Sequence, residues 1–175
     1  MGIRTWKYVT IGAGGTPQPL MGTFTAAAIT GSPNAQAVAF SDASQLAVGD
    51  RIMVDGGSAT LKELTTITAI SSNNVTAVFN NTHATSAPVH LFWPCTFVYC
   101  QGLDGNAAAL FIGNKQAMVK ATGVGVILKI VNVTSGNQPT EFSSSNVYGA
   151  NPDNTANYWI DGTTGDSYLP SCTMT

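Results

Sequence analysis

Residues 36–93 read QAVAFSDASQLAVGDRIMVDGGSATLKELTTITAISSNNVTAVFNNTHATSAPVHLFW. Short runs of alternating apolar residues are separated by turn residues at close spacing. Ile52 and Val54 share one strand face, and Ile67 and Ala69 share another. Val75, Ala77 and Phe79 repeat with period two, as do Val89, Leu91 and Trp93. That period sends successive side chains to opposite faces of a pleated strand, one toward a core and one toward solvent. The breaks fall at Val48-Gly49-Asp50, Asp55-Gly56-Gly57 and Ser71-Ser72-Asn73-Asn74. Gly supplies positive φ and Asn and Asp tolerate it, so these are turns. The stretch predicts a meander of antiparallel strands.

The same stretch carries a resemblance. Leu46-x-Val48-Gly49-Asp50, then Ile52 and Val54, Glu63 before Thr66-Ile67-Thr68-Ala69-Ile70, Val75, and Thr82-His83-Ala84 closing on Val89 resemble a small β module of tailed-bacteriophage structural proteins. It covers roughly a third of the chain, and no catalytic group belongs to its pattern. A second stretch is similar to a short β-sandwich pattern of phage virion proteins, among them head decoration (cement) proteins. It comprises Leu110-Phe111-Ile112-Gly113, the 119–124 region, and Trp159-Ile160-Asp161-Gly162 with Gly165-Asp166-Ser167-Tyr168. The resemblance implies an all-β protein on the outside of a virion shell, often trimeric, with no catalytic residues to carry over.

Outward from the module, Thr5–Ile11 predicts a first strand with Trp6, Tyr8 and Thr10 on one side. Gly12–Pro19 (GAGGTPQP) predicts a flexible or turning linker. A segment this short cannot bury its own aromatics. It is therefore read either as an arm that pairs with another chain through Trp6 or as the first strand of its own sheet. Gly22–Ile29 predicts a strand. Beyond Pro94, Thr96–Gln101 predicts another. Residues 107–120 are the one place where a helix is plausible, but Gly113-Asn114 breaks it, so two strands with a tight turn fit as well. Val126–Val133 is apolar on both faces except at Lys129. It predicts a strand covered on both sides, in a sandwich or at an oligomer interface. Residues 158–160 and 167–169 predict a final hairpin. The fold expected is all-β, an antiparallel β-sandwich or jelly-roll-like body with very little helix. It divides as an arm and linker over 1–19, a β module over 20–94 and a C-terminal sandwich portion over 95–175.

Charged residues are 9% of the 175, against ~25% in an ordinary soluble domain. Hydroxyl and amide side chains, glycine or a partner must cover the surface. The seven bases are scattered, with none beyond Lys129, so clustered phosphate contacts are missing and a nucleic-acid partner is not expected. Residues 130–175 hold four acids and no base, leaving seven bases against five acids before them. No apolar run approaches the ~18 residues of a membrane span, and no membrane partner is expected. Residues 1–8 show no export signal. Cys95, Cys100 and Cys172 are an odd number and predict free thiols. Cys95 and Cys100, five apart in one strand, are expected on opposite faces.

No cofactor or metal is expected. His83 and His90, six residues between them, fall outside H-x₃₋₅-H spacing, and Cys95 and Cys100 lie along a strand rather than on a knuckle. Gly12-Ala13-Gly14-Gly15 is followed by Thr-Pro-Gln-Pro, which does not open a dinucleotide-binding helix. Glu63, among Leu61, Leu64 and Ile67, reads as half-buried and has no evident acid partner. The Asx-rich run Asn151, Asp153, Asn154, Asn157 and Asp161 lacks the order of a calcium loop and reads as Asx turns. No hydrolase motif stands out, and no enzymatic activity is expected.

The expected role is a capsid decoration protein. It binds the major capsid protein or other virion proteins as a homo-oligomer, a trimer by resemblance, and acts in the virion after assembly in the host cytoplasm. A tail or fibre-base adaptor is the alternative, and a carbohydrate- or receptor-binding module, with Trp159 as platform, is the second. Interface residues expected from the sequence are Arg4, Trp6, Tyr8, Lys129 and Trp159.

Overall fold

The computed structural model describes residues 3–103, 105–114, 116–130, 140–143 and 153–174. The chain opens with β1 (Ile3–Thr5), β2 (Val9–Thr10) and β3 (Gln18–Pro19). Then come β4 (Gly22–Phe24), β5 (Ala35–Ala39), β6 (Arg51–Val54), β7 (Glu63–Thr66), β8 (Ala69–Ser71), β9 (Asn74–Val78) and β10 (Pro88–Leu91). The remainder are β11 (Pro94–Gly102), β12 (Leu110–Gly113), β13 (Val126–Ile130), β14 (Thr140–Ser143), β15 (Asp153–Asn154), β16 (Trp159–Asp161) and β17 (Ser167–Met174). One 3₁₀ turn, Thr155–Asn157, is the only helical element among the described residues. The fold is all-β, with antiparallel pairing throughout the named strands.

Two compact units share the chain. One joins residues 1–20 to 94–175, and the other is Met21–Trp93. In the second unit the sheets run β4-β10-β6-β7 and β5-β9-β8. This is not the simple meander that the sequence predicts. β10 inserts between β4 and β6, and β5 lies on β9. The reason is edge closure, because a strand left at an edge exposes a row of unpaired N–H and C=O groups. At one seam the chain after β4 pairs on past β5, through the Thr25↔Phe40 bridge and the Ala26 N–H on the Ala39 carbonyl. At the other seam the chain bends between β7 and β8. There the Thr65 hydroxyl donates to the Val78 carbonyl at 2.7 Å and the Thr68 N–H to the Thr76 carbonyl at 2.8 Å.

The period-two faces land as predicted where strands are continuous. Ile52, Val54, Val75, Ala77, Phe79, Val89 and Leu91 are all fully buried. Burying a side chain of Val, Leu or Phe size is worth roughly 1.5–3 kcal/mol, so this cluster dominates the stability of the unit. Ile67 and Ala69 do not share a face. Ile67 is buried and Ala69 exposed, because the strand changes sheet between them. The ends of the unit meet, with the Leu91 N–H donating to the Met21 carbonyl at 2.9 Å.

The first unit packs a sheet in which β17 lies between β11 and β1, with β14 and β15 beyond β11 and β2 also on β17. Its second sheet runs β13-β12-β16-β3. The free arm is therefore corrected. Ile3, Arg4 and Thr5 pair with Thr173, Cys172 and Ser171, and Trp6 is buried in this chain's own unit at 4% exposure. The GAGGTPQP stretch is not a flexible linker either. Its end is β3, where Gln18 and Pro19 are buried against β16. Residues 158–160 and 167–169 do not form a hairpin. They enter different sheets, because β12 and β3 flank β16 while β11 and β1 flank β17.

Among the described residues of 107–120 there is no helix. Leu110–Gly113 is a strand, followed by a turn closed by a Val119↔Val124 bridge. Gly113 is required there, since a Cβ would lie 2.5 Å from the Gly125 carbonyl oxygen and overlap the Met118 sulfur. β13 is the terminal strand of its sheet. Val126, Ile127 and Leu128 are half-buried, Lys129 is exposed and Ile130 is buried, so this chain by itself does not cover both sides of the run over 126–130. Residues 131–133 of that run lie outside the described residues.

Cys95 and Cys100 do not point to opposite faces. β11 carries a bulge, with Cys95 opposite Met174 and Phe97 opposite Thr173. One extra residue flips the alternation, so Cys95, Val98 and Cys100 share the buried face. Cys172, opposite Val98, joins them, and all three are fully buried thiols outside any disulfide. Burial pushes the Cys100 thiol far up. It raises Cys172 to about 11 against the opposing pull of Arg4.

Two measurements follow from this architecture. Native protein at neutral pH should leave a thiol reagent unreacted over the time in which denatured, unreduced protein titrates three thiols; rapid labelling of any cysteine in native protein contradicts the buried face. Residues 21–93 expressed alone should fold, with cooperative melting and dispersed amide resonances. A collapsed spectrum without a melting transition would show that the unit depends on the rest of the chain.

Candidate functional site

Among the described residues, the densest cluster of ionisable side chains lies in the Met21–Trp93 unit. Asp55 sits just past β6, in the left-handed region with φ 51°. Asp tolerates that conformation and so turns the chain toward Gly56 and Gly57. Glu63 opens β7 directly opposite Val54, which sets its carboxylate on the same end of the sheet as Asp55. His83 is held by two backbone hydrogen bonds with Ile29, each 2.9 Å.

The His83 ring lies between the two carboxylates. Its Nδ1 is 2.6 Å from Asp55 Oδ2, and its Nε2 is 2.7 Å from Glu63 Oε1. The other oxygen of Glu63 accepts the Asn80 N–H at 2.8 Å and the Asn81 N–H at 3.3 Å. The Asn81 side-chain amide donates to the Leu61 carbonyl at 3.1 Å. The His83 side chain has no exposure, and Glu63 and Asp55 keep 8% and 18%. Glu63, which the sequence leaves without an acid partner, thus shares His83 with Asp55. Their separation of eight residues along the chain carries no motif, and only the β6–β7 hairpin register brings them together.

This arrangement binds loops together. A histidine acting as a general base or metal ligand needs one ring nitrogen directed at a substrate or ion. Here both nitrogens are engaged by carboxylates, as in a structural clamp. Among the described residues no group of three His, Cys, Asp or Glu side chains has the geometry to hold a metal ion. His90 is a separate, fully buried residue of β10, and burial lowers its pKa to about 3, so it is neutral in the folded protein.

Two acids of the first unit, Asp161 and Asp166, are also spent on backbone. Asp166 accepts from the Ala107 N–H at 2.6 Å and the Thr163 N–H at 3.1 Å. Asp161 accepts from Gly15 at 2.9 Å and Gly162 at 2.7 Å, and Lys120 reaches the Gly162 carbonyl at 2.5 Å. Asn154 caps the 3₁₀ turn through the Ala156 N–H at 3.0 Å. An Asx turn therefore accounts for Asn154 of the Asx-rich run, whereas Asp161 ends β16 and ties Gly15 to Gly162; residues 151 and 152 of the run lie outside the described residues. A buried acceptor that satisfies loop N–H groups removes a cost of about 1–3 kcal/mol per unpaired group.

The five interface residues expected from the sequence are scattered through the first unit. Trp159 is 3% exposed and Trp6 4%, so neither presents a ring face to a sugar or another chain. Arg4 is half-buried, with its guanidinium 5.7 Å from the centre of the Trp6 ring. Tyr8 is 62% exposed. Lys129 is exposed, its ammonium 5.7 Å from the centre of the Phe111 ring. Sequence reasoning missed the exposed Ile3, Val119 and Val124 of the same unit. The chain matches no protein-family model, no curated protein and no solved structure.

Two substitutions test this geometry. Gly31→Ala should destabilise the unit by about 1–3 kcal/mol in denaturant unfolding, because its Cβ would overlap the Asn80 carbonyl beside the Glu63 acceptor; a neutral effect contradicts the close packing there. His90 titrates near 6.5 when unfolded and only near 3 when folded. The unfolded chain therefore binds the extra proton between those values, and stability falls as pH drops through that window. His90→Gln should flatten this part of the stability–pH curve, and an unchanged slope would refute the assignment.

Proposed function

We propose that this chain is a non-enzymatic virion structural protein that docks on the outside of a phage head and stabilises it. One contrast carries the reading. Among the described residues the buried His83, Asp161 and Asp166 and the half-buried Asp55 and Glu63 make their hydrogen bonds within the chain itself. The surface, in contrast, bears Ile3, Tyr8, Val48, Leu61, Leu64, Val119 and Val124 in a chain with 9% charged residues. Such a surface recognises another protein surface through shape and apolar area, with little long-range steering. The sequence resemblance to head decoration proteins supplies the partner class, the major capsid protein, and the trimeric state. Linked copies on a repetitive shell sum modest interfaces into firm attachment. The sugar-binding alternative loses its platform with Trp159 buried.

Cosedimentation with purified empty heads tests the reading. The protein should pellet with the shells and raise their melting temperature. Tyr8→Ala with Lys129→Ala should weaken that binding roughly tenfold, about 1.4 kcal/mol, while leaving the melting of the free protein unchanged. Protein that ignores shells and binds purified tails would support the tail-adaptor role and overturn this one.

A further inference from the structure

The His83 cluster holds its shape only with a definite number of protons. Both ring nitrogens face carboxylate oxygens, at 2.6 Å and 2.7 Å. An ionised carboxylate only accepts, and a neutral imidazole has a single N–H. A neutral ring would therefore turn one lone pair onto a carboxylate oxygen at hydrogen-bond range. One added proton removes the conflict. Free imidazole takes a proton at about 6.5, free Asp and Glu carboxylates at about 3.9 and 4.3, so the ring is the better acceptor. The ring side chain has no exposure, so water does not substitute for either partner.

We propose that His83, doubly protonated between Asp55 and Glu63, is a proton-held latch that pins the 55–62 and 80–84 loops at one end of the Met21–Trp93 unit. Asp55 reaches the ring from the turn after β6 and Glu63 from β7. The segment around Ile29 contributes only its backbone N–H and C=O. Among the described residues no lysine or arginine forms an ion pair with either carboxylate. Loss of the proton leaves one contact repulsive, and the Glu63–Asn80–Asn81–Leu61 chain of hydrogen bonds loosens with it. The loop released carries the exposed Leu61. The sign is opposite to that of His90. The latch proton is bound in the fold, so its stabilisation is present at lower pH and is lost as pH rises.

Glu63→Gln makes the proposal testable. The Gln carbonyl can still accept from Asn80 and Asn81, and its amide can donate to a bare Nε2, so the clamp closes around a neutral ring. Nitrogen-15 NMR of the imidazoles in the intact wild-type chain at neutral pH should show both His83 ring nitrogens protonated, and the variant should show one. Amide exchange at Asn80 and Asn81, corrected for intrinsic rates, should accelerate at least tenfold in wild type from mildly acidic to alkaline pH and stay flat in the variant. Comparing the two chains cancels the His90 contribution, which both share. A bare ring nitrogen at His83 in the wild type at neutral pH overturns the latch, and that measurement needs no variant. Identical exchange profiles in the two proteins overturn it as well.

Discussion

Strand β17 is the constraint on which the first unit depends. Its eight residues pair with β11 along one edge and with β1 and β2 along the other. Segments from near both ends of the described chain are thereby stitched into one sheet. The crossing to the second sheet is sealed by buried polar groups. Gln18 donates to the Tyr168 hydroxyl at 3.1 Å, and that hydroxyl donates to the Pro19 carbonyl at 3.2 Å. Burial pushes the Tyr168 hydroxyl far up, which keeps it a donor at any ordinary pH. Buried groups with this little alternative are costly to leave unpaired, so the network fixes β3 against β16 and not merely somewhere near it.

With residues 1–20 and 94–175 tied in this way, Met21–Trp93 is an insertion whose two ends return to the same place. An inserted unit has to close its own sheet edges, and the seams at Thr25–Phe40 and Thr65–Thr68 do this with backbone and hydroxyl hydrogen bonds. The His83 clamp adds charged hydrogen bonds at the loops, where apolar area is scarce. In both units carboxylates hold turns, Asp55 and Glu63 in one and Asp161 and Asp166 in the other.

The alternation of apolar residues made the strands of 52–91 and their buried faces legible, because period two is a local property. Whatever depended on distant pairing was hidden. The bulge at Cys95–Phe97 reverses a face that counting along the strand assigns otherwise. Ile67 and Ala69 look like one strand but stand on two sides of a bend between sheets. Trp6 and Trp159 look like anchors for a partner, since their cover comes from segments far away in the chain. Asp55, Glu63 and His83 are ordinary residues in separate parts of the sequence; the β6–β7 register makes the two carboxylates neighbours, and the bridge to Ile29 holds His83. Glu63 among Leu61, Leu64 and Ile67 was the one local hint that a carboxylate there needed a partner.

Hydrogen exchange of the whole chain tests the central claim most directly, that the N-terminal twenty residues are built into the unit organised by β17. The N–H groups of Trp6, Ile11 and Leu20 donate to the carbonyls of Pro170, Asp166 and Tyr158. They should exchange as slowly as the amides of β17 itself and open together with it. Fast exchange at these three positions beside a protected β17 would mean that the segment is an independent arm, and would contradict the account.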